Sequence, residues 1–280
     1  MSELVRTSLM VFGSTAFIAA LLLYFIAQKF KSEANIVTEK IKEILPQANC
    51  GGCGKAGCSA FAEACSQASQ EDFSSLYCPV GGNAVMQKIA TILNFKVEQK
   101  RKQFAVVCCQ GSFEKSTKKA EYEGIKSCRL VSLSASGEGL CPNGCLHQGD
   151  CVEACKFGAI IIDQTTGLPV VDKEKCVACG ACVKACPRQL IELKSFDENE
   201  KLLYIACKNT QTGAQALKNC KAACIACGKC TKICSSIAIE NNLAKVVDMT
   251  EAAVLGEQLR ECCPNQVITF VSRGKEDEAK

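Results

Sequence analysis

The run CVACGACVKACPRQLI places Cys176, Cys179, Cys182 and Cys186 at intervals of three, three and four residues, with Pro187 directly after the fourth. Nothing else in the chain restricts its fold as tightly. Thiols this close converge on one inorganic centre more readily than they pair with each other. The run supplies three ligands to one iron–sulfur cube and a fourth, beyond a turn, to a neighbouring cube. Zinc ribbons take their ligands in two pairs instead, and disulfide-dense proteins are small and secreted. With 24 cysteines in 280 residues, one histidine and no tryptophan, the chain reads as an iron–sulfur protein of two or three small domains. Each four-iron cube with its thiolates carries about −2, so the formal charge of +4 is no nucleic-acid signal.

The pattern is duplicated across residues 99–272. QFAVVCCQG and LLYIACKN are matching apolar strands. Cys128, Cys141 and Cys145 have the same spacing as Cys207, Cys220 and Cys224, and DCVEACKFGAI and KCTKICSSIAI each lead to a strand ending in Val-Val-Asp. In the first copy Cys145, Cys151 and Cys155 hold bacterial-ferredoxin places, but Gln148 occupies the middle position. Cys141 can fill that vacancy. Crossing the ligands predicts Cys141, Cys145, Cys151 and Cys186 for one cluster, and Cys155, Cys176, Cys179 and Cys182 for its neighbour. His147, beside the vacancy, reads as a loop residue.

In the second copy Cys224, Cys227 and Cys230 form a regular trio that Cys263, before Pro264, completes. The thiols that a neighbouring cube would need are absent. One alignment puts Ala253, Gly256 and Leu259 there, the other Ala252, Leu255 and Gln258. One cluster is lost, and Cys234 is its stranded ligand. Cys262 competes with Cys263, which is preferred because proline follows it. Cys220 reads as spare, and Cys108, Cys109, Cys128 and Cys207 read as buried strand or loop thiols first and as ligands second.

Upstream, the 22 residues between Arg6 and Lys29 carry no charge, enough to cross about 30 Å of hydrocarbon as a helix. A cleaved signal peptide competes, but no small-residue cleavage site follows. Lys29, Lys31, Lys40 and Lys42 follow the stretch against one arginine before it, which puts the body of the chain in the cytoplasm. Next, Ile36, Val37, Ile41, Ile44 and Leu45 share a helical face that Pro46 closes. NCGGCGKAGCSAF and YCPVGG then offer Cys50, Cys53, Cys58 and Cys78 as a four-ligand set, with glycines that let the backbone wrap a cube. Cys65, at helical spacing from Phe61 and Ala68, reads as a core thiol.

LPQANCGGCGKAGCSAFAEA followed by CPVGG resembles the iron–sulfur module of the membrane-anchored B subunits of Rnf ion-translocating ferredoxin:NAD oxidoreductases. The order of membrane helix, module and ferredoxin repeats extends the resemblance over essentially the whole chain. The expected fold is α+β. It comprises a transmembrane helix (1–28), a small helical 4Fe-4S module (29–95), a two-cluster ferredoxin-like domain (96–200), a second ferredoxin-like domain with one cluster lost (201–272) and a charged tail (273–280). About four [4Fe-4S] clusters on a membrane tether describe an electron wire, with no G-x-G-x-x-G for NAD or flavin.

The resemblance implies the direction: electrons from reduced soluble ferredoxin pass to other subunits of a cell (inner) membrane complex, where NAD is reduced and Na+ or H+ is moved. Lys115, Lys118, Lys119 and Lys173 are candidates for docking an acidic ferredoxin, or form a solvated face. The alternative function is a membrane-anchored iron–sulfur redox sensor.

Overall fold

The computed structural model describes residues 3–29, 36–134 and 137–272. The expected charged tail at 273–280, and Lys31 of the positive flank, lie outside the described residues. Helix α1 (Glu3–Lys29) contains a 21-residue stretch, Arg6–Ile26, long and apolar enough to cross a membrane and nowhere buried within the chain. Polar side chains within it bond to its own backbone. The Ser14 and Thr15 hydroxyls donate to the Val11 carbonyl at 3.0 Å, as a span without water requires.

Four helices form the next unit: α2 (Ile36–Ile44), α3 (Cys58–Gln67), α4 (Gln70–Ser75) and α5 (Gly82–Leu93). Ile41, Leu45, Phe61, Cys65, Phe73, Met86 and Ile89 make its core. Of the apolar face expected on α2, Ile41 and Leu45 are buried, while Ile36, at the helix's first turn, is 73% exposed. Ser69 caps α4, its hydroxyl accepting the Asp72 N–H at 3.2 Å.

Two units of one plan follow. In the first, β1 (Gln103–Val107) precedes α6 (Cys128–Ser134), α7 (Asp150–Glu153), β2 (Ile160–Ile162), β3 (Pro169–Val171), α8 (Ala181–Ala185) and β4 (Ile191–Ser195). β1 pairs antiparallel with β4, and β2 with β3. In the second, β5 (Lys201–Ile205) precedes α9 (Gly213–Asn219), α10 (Lys229–Ile233), β6 (Ile237–Glu240), β7 (Leu243–Val246), α11 (Met249–Val254), α12 (Gly256–Cys262) and β8 (Ile268–Ser272). β5 pairs with β8 and β6 with β7, again antiparallel.

The strand ends fix how the copies correspond. Just past the first strand of each unit, Cys108 N–H donates to the Leu190 carbonyl and Ala206 N–H to the Val267 carbonyl, both at 2.7 Å. Cys109 is therefore the structural counterpart of Cys207, a place that the later cysteine spacing assigns to Cys128. The units are joined as well as repeated. Met249 packs against both cores, Lys208 pairs with Glu192, and Lys221 N–H donates to the Lys115 carbonyl at 2.8 Å.

Candidate iron–sulfur sites

Cysteine loops of the two units bend alike. Ala178 and Gly180 take φ of 54° and 74°, and Ala226 and Gly228 repeat them at 50° and 73°. Such left-handed residues turn successive thiols toward one point before α8 and α10 begin.

In the helical unit Cys50, Cys53, Cys58 and Cys78 line a recess of about 300 Å³ with Leu45, Phe61 and Pro79. Gly52 N–H lies 3.5 Å from Cys50 Sγ and Gly81 N–H 3.4 Å from Cys78 Sγ. The Asn49 side chain accepts the Cys58 N–H at 2.8 Å and fills the place of a Cβ on Gly57, whose φ is 132°. Gly52 has another task. A Cβ there would stand 2.9 Å from the Cα and carbonyl oxygen of Cys179, so this loop rests directly on the first ferredoxin-like unit.

Cys155, Cys176, Cys179 and Cys182 face one another. Burial and then Cys176, Cys179 and Cys155 push the Cys182 thiol up to about 11. Ala105 N–H of β1 reaches Cys176 Sγ, and Ala159 N–H reaches Cys155 Sγ, each at 3.4 Å.

The adjoining recess, about 430 Å³, differs from the expected set. It is lined by Cys128, Cys145, Cys151 and Cys186. Cys141 turns elsewhere, toward Cys109, Cys220 and Cys207. Cys128 reaches this position because α6 starts on Asp150, whose carboxylate accepts the N–H of Cys128 at 2.7 Å and of Arg129 at 3.1 Å. Backbone N–H groups of Asp150, Gln148 and Gly149 face the Cys128 sulfur. A thiol from a distant helix thus occupies the place where residue 148 would have carried one. The nearby His147 ring bonds the Gly167 carbonyl at 2.8 Å and lies against Phe113, 4.9 Å between ring centroids. Burial favours its neutral form, which suits the loop role.

In the second unit Cys224, Cys227, Cys230 and Cys263 line a recess of about 390 Å³ together with Pro264. Cys262 donates its thiol to the Leu259 carbonyl at 3.1 Å and is not part of that lining. Where a further cluster would sit, the space is solid. Cys234, Ala252, Ala253 and Leu259 are each 0% exposed, and the Phe270 ring lies where a Cβ on Gly256 would be, 2.2 Å away.

Family models agree with two of these places. A 4Fe-4S binding domain matches residues 169–192 and an Fe-S cluster family matches residues 45–71. In Acetobacterium woodii, the B subunit of the Na(+)-translocating ferredoxin:NAD(+) oxidoreductase complex is 39% identical over 237 residues, 84% of this chain and 69% of the relative. The B subunit of the ion-translocating oxidoreductase complex of Methanosarcina acetivorans is 32% identical over 79% of this chain and 81% of the relative. In Clostridium ljungdahlii, the B subunit of the proton-translocating ferredoxin:NAD(+) oxidoreductase complex is 34% identical over 94% of this chain and 92% of the relative. A membrane-type helix, iron–sulfur family matches and identity sustained over most of both chains place this protein in the family of B subunits of ion-translocating ferredoxin:NAD(+) oxidoreductases.

Proposed function

We propose that this chain relays electrons from reduced ferredoxin toward partner subunits that reduce NAD and move an ion, with α1 in the membrane and the remainder on its cytoplasmic side. Cys50, Cys53, Cys58 and Cys78 hold one [4Fe-4S] cluster. Cys155, Cys176, Cys179 and Cys182 hold the second, Cys128, Cys145, Cys151 and Cys186 the third, and Cys224, Cys227, Cys230 and Cys263 another. A bound cluster supplies one-electron exchange. The chain's own work is to space the thiols, donate backbone N–H groups to sulfur and exclude water, which together tune the potential.

The observation that carries this reading is the contiguity of the sites. The Gly52 loop touches Cys179, and Cys151 of the third set faces Cys182 of the second. The membrane-proximal module is thereby continuous with the ferredoxin-like body. Cys227 is the one exposed cysteine among the described residues, and Lys221, Lys229 and Lys232, near it in sequence, are exposed too. This favours the second unit as the entry point for an acidic ferredoxin.

Mixing the anaerobically purified full-length chain with chemically reduced ferredoxin is expected to bleach its visible iron–sulfur absorbance within the mixing experiment. Reduction by dithionite but not by ferredoxin would overturn the relay and favour a redox sensor.

A further inference from the structure

We propose a fifth iron–sulfur cluster, held by Cys109, Cys141, Cys207 and Cys220 at the junction of the two ferredoxin-like units. The proposal rests on the iron–sulfur reading above and extends it to cysteines outside the four sets just named. The four line one recess of about 340 Å³, within the 300–430 Å³ spanned by the other three recesses described above. Three of them face the fourth: after burial, Cys109, Cys220 and Cys207 are the neighbours that raise the Cys141 thiol. The Cβ position of Gly111 lies 3.4 Å from Cys220 Sγ and 3.6 Å from Cys109 Sγ, so this loop lies against two of the four sulfurs.

Symmetry strengthens the assignment. Each unit contributes the same pair: one cysteine two residues past its first strand (Cys109, Cys207) and one four residues before its first loop cysteine (Cys141, Cys220). Donors repeat as well. Each of the four sulfurs is faced by the N–H of the residue two further on: Gly111, Asn143, Asn209 and Ala222. Cys207 Sγ accepts from Asn209 N–H at 3.4 Å and from Cys224 N–H at 3.3 Å, and Cys145 N–H faces Cys109. Backbone donors facing four sulfurs, two on buried cysteines (Cys207, Cys220) and two on half-buried ones (Cys109, Cys141), form a cradle for negatively charged sulfur.

The Cys145 and Cys224 N–H groups also place the site between its neighbours. Cys145 belongs to the third set and Cys224 to the terminal one, so the new site spans the gap between the units. One electron leaves a reduced cluster at Cys224, Cys227, Cys230 and Cys263, reduces the fifth cluster by one, and passes on to the set containing Cys145. No proton or further reactant is needed. The cysteines then left outside any set are Cys65, Cys108, Cys234 and Cys262.

Iron and acid-labile sulfide per chain, with native mass, on anaerobically purified full-length protein test this. Five cubes contain about twenty irons and four contain about sixteen. The expected count is near twenty, with about four irons and four sulfides lost in C207S/C220S and none lost in C234S. A wild-type count near sixteen, unchanged in C207S/C220S, overturns the fifth site while leaving the relay standing. Iron and sulfide absent altogether, with zinc in their place, overturns both. If C207S/C220S does not fold, the wild-type native mass decides alone.

Discussion

A thiol buried among other thiols keeps its proton unless a cation replaces it. Burial, then Cys128 and Cys186, pushes Cys151 up to about 12, and burial followed by Cys224 pushes Cys230 up to about 11. Only iron's charge together with backbone donors makes thiolates stable in such places. Cys65 is also pushed up to about 12, chiefly by burial, but packs with Phe61 and Phe73 in an apolar core. Cys65 also has Cys53 and Cys78 nearby, so what separates ligand from core thiol is the company of backbone donors. Asp150 shows how such company is arranged by a residue that need not touch iron. Its carboxylate accepts the N–H groups of Cys128 and Arg129 and the Ser127 hydroxyl at 3.0 Å, fixing the start of α6. D150A is expected to lose about 1 kcal/mol of stability, the usual worth of a helix N-cap, measured by denaturant unfolding of the loaded protein. D150N keeps an acceptor and should lose less. An equal loss in both variants would assign the effect to the carboxylate's charge instead of its hydrogen bonds.

At the scale of elements, the missing cluster of the second unit is replaced by packing. Helices α11 and α12 bring Ala252, Ala253 and Leu259 into the space, and Phe270 of β8 closes it over Gly256. Restoring thiols alone should not restore the cluster: A253C/G256C/L259C is expected to gain no iron, because a side chain at 256 meets the Phe270 ring. L259A, which empties the same space, should cost about 2–5 kcal/mol in unfolding free energy. A gain of about four irons in the triple variant would show that the core yields readily. These elements also mark what the sequence could disclose. Cys-x-x-Cys loops are local, so the trios at 176–182 and 224–230 were legible from spacing, as was the duplication. Cys128 in the place of residue 148 was not, because the capping of α6 by Asp150 brings them together across 22 positions. Nor was the meeting of Cys109, Cys141, Cys207 and Cys220. It depends on strand register and on the bridge between Ser116 and Cys220, both long-range. One signal was present: the strands QFAVVCC and LLYIAC place Cys109 and Cys207 alike, whereas the intervals of the later cysteines pair Cys207 with Cys128.

Across the whole molecule, charge and geometry point the same way. Clusters at about −2 each outweigh the formal charge of +4, so a loaded chain repels an acidic ferredoxin except where lysines gather. Of the lysines named from sequence, Lys118 is drawn to Glu138 at 3.3 Å and over the Phe113 ring. Lys221, Lys229 and Lys232, exposed and near the exposed Cys227 in sequence, belong to the unit farthest along the site series from the membrane module. In the proposed relay, electrons entering there traverse the second unit, the junction and the first unit before reaching the set beside the Gly52 loop. Charge reversal in K221E/K232E is expected to slow reduction by ferredoxin about tenfold at low ionic strength, the lower end of electrostatic steering. The difference should shrink as salt is raised past about 0.1 M, where the screening length falls to about 10 Å. Stopped-flow bleaching at several salt concentrations reads both quantities, and iron content confirms that the variant is fully loaded. An unchanged rate in K221E/K232E, with slowing in K118E/K119E, would move the entry point to the junction and reverse the order in which the second unit is used.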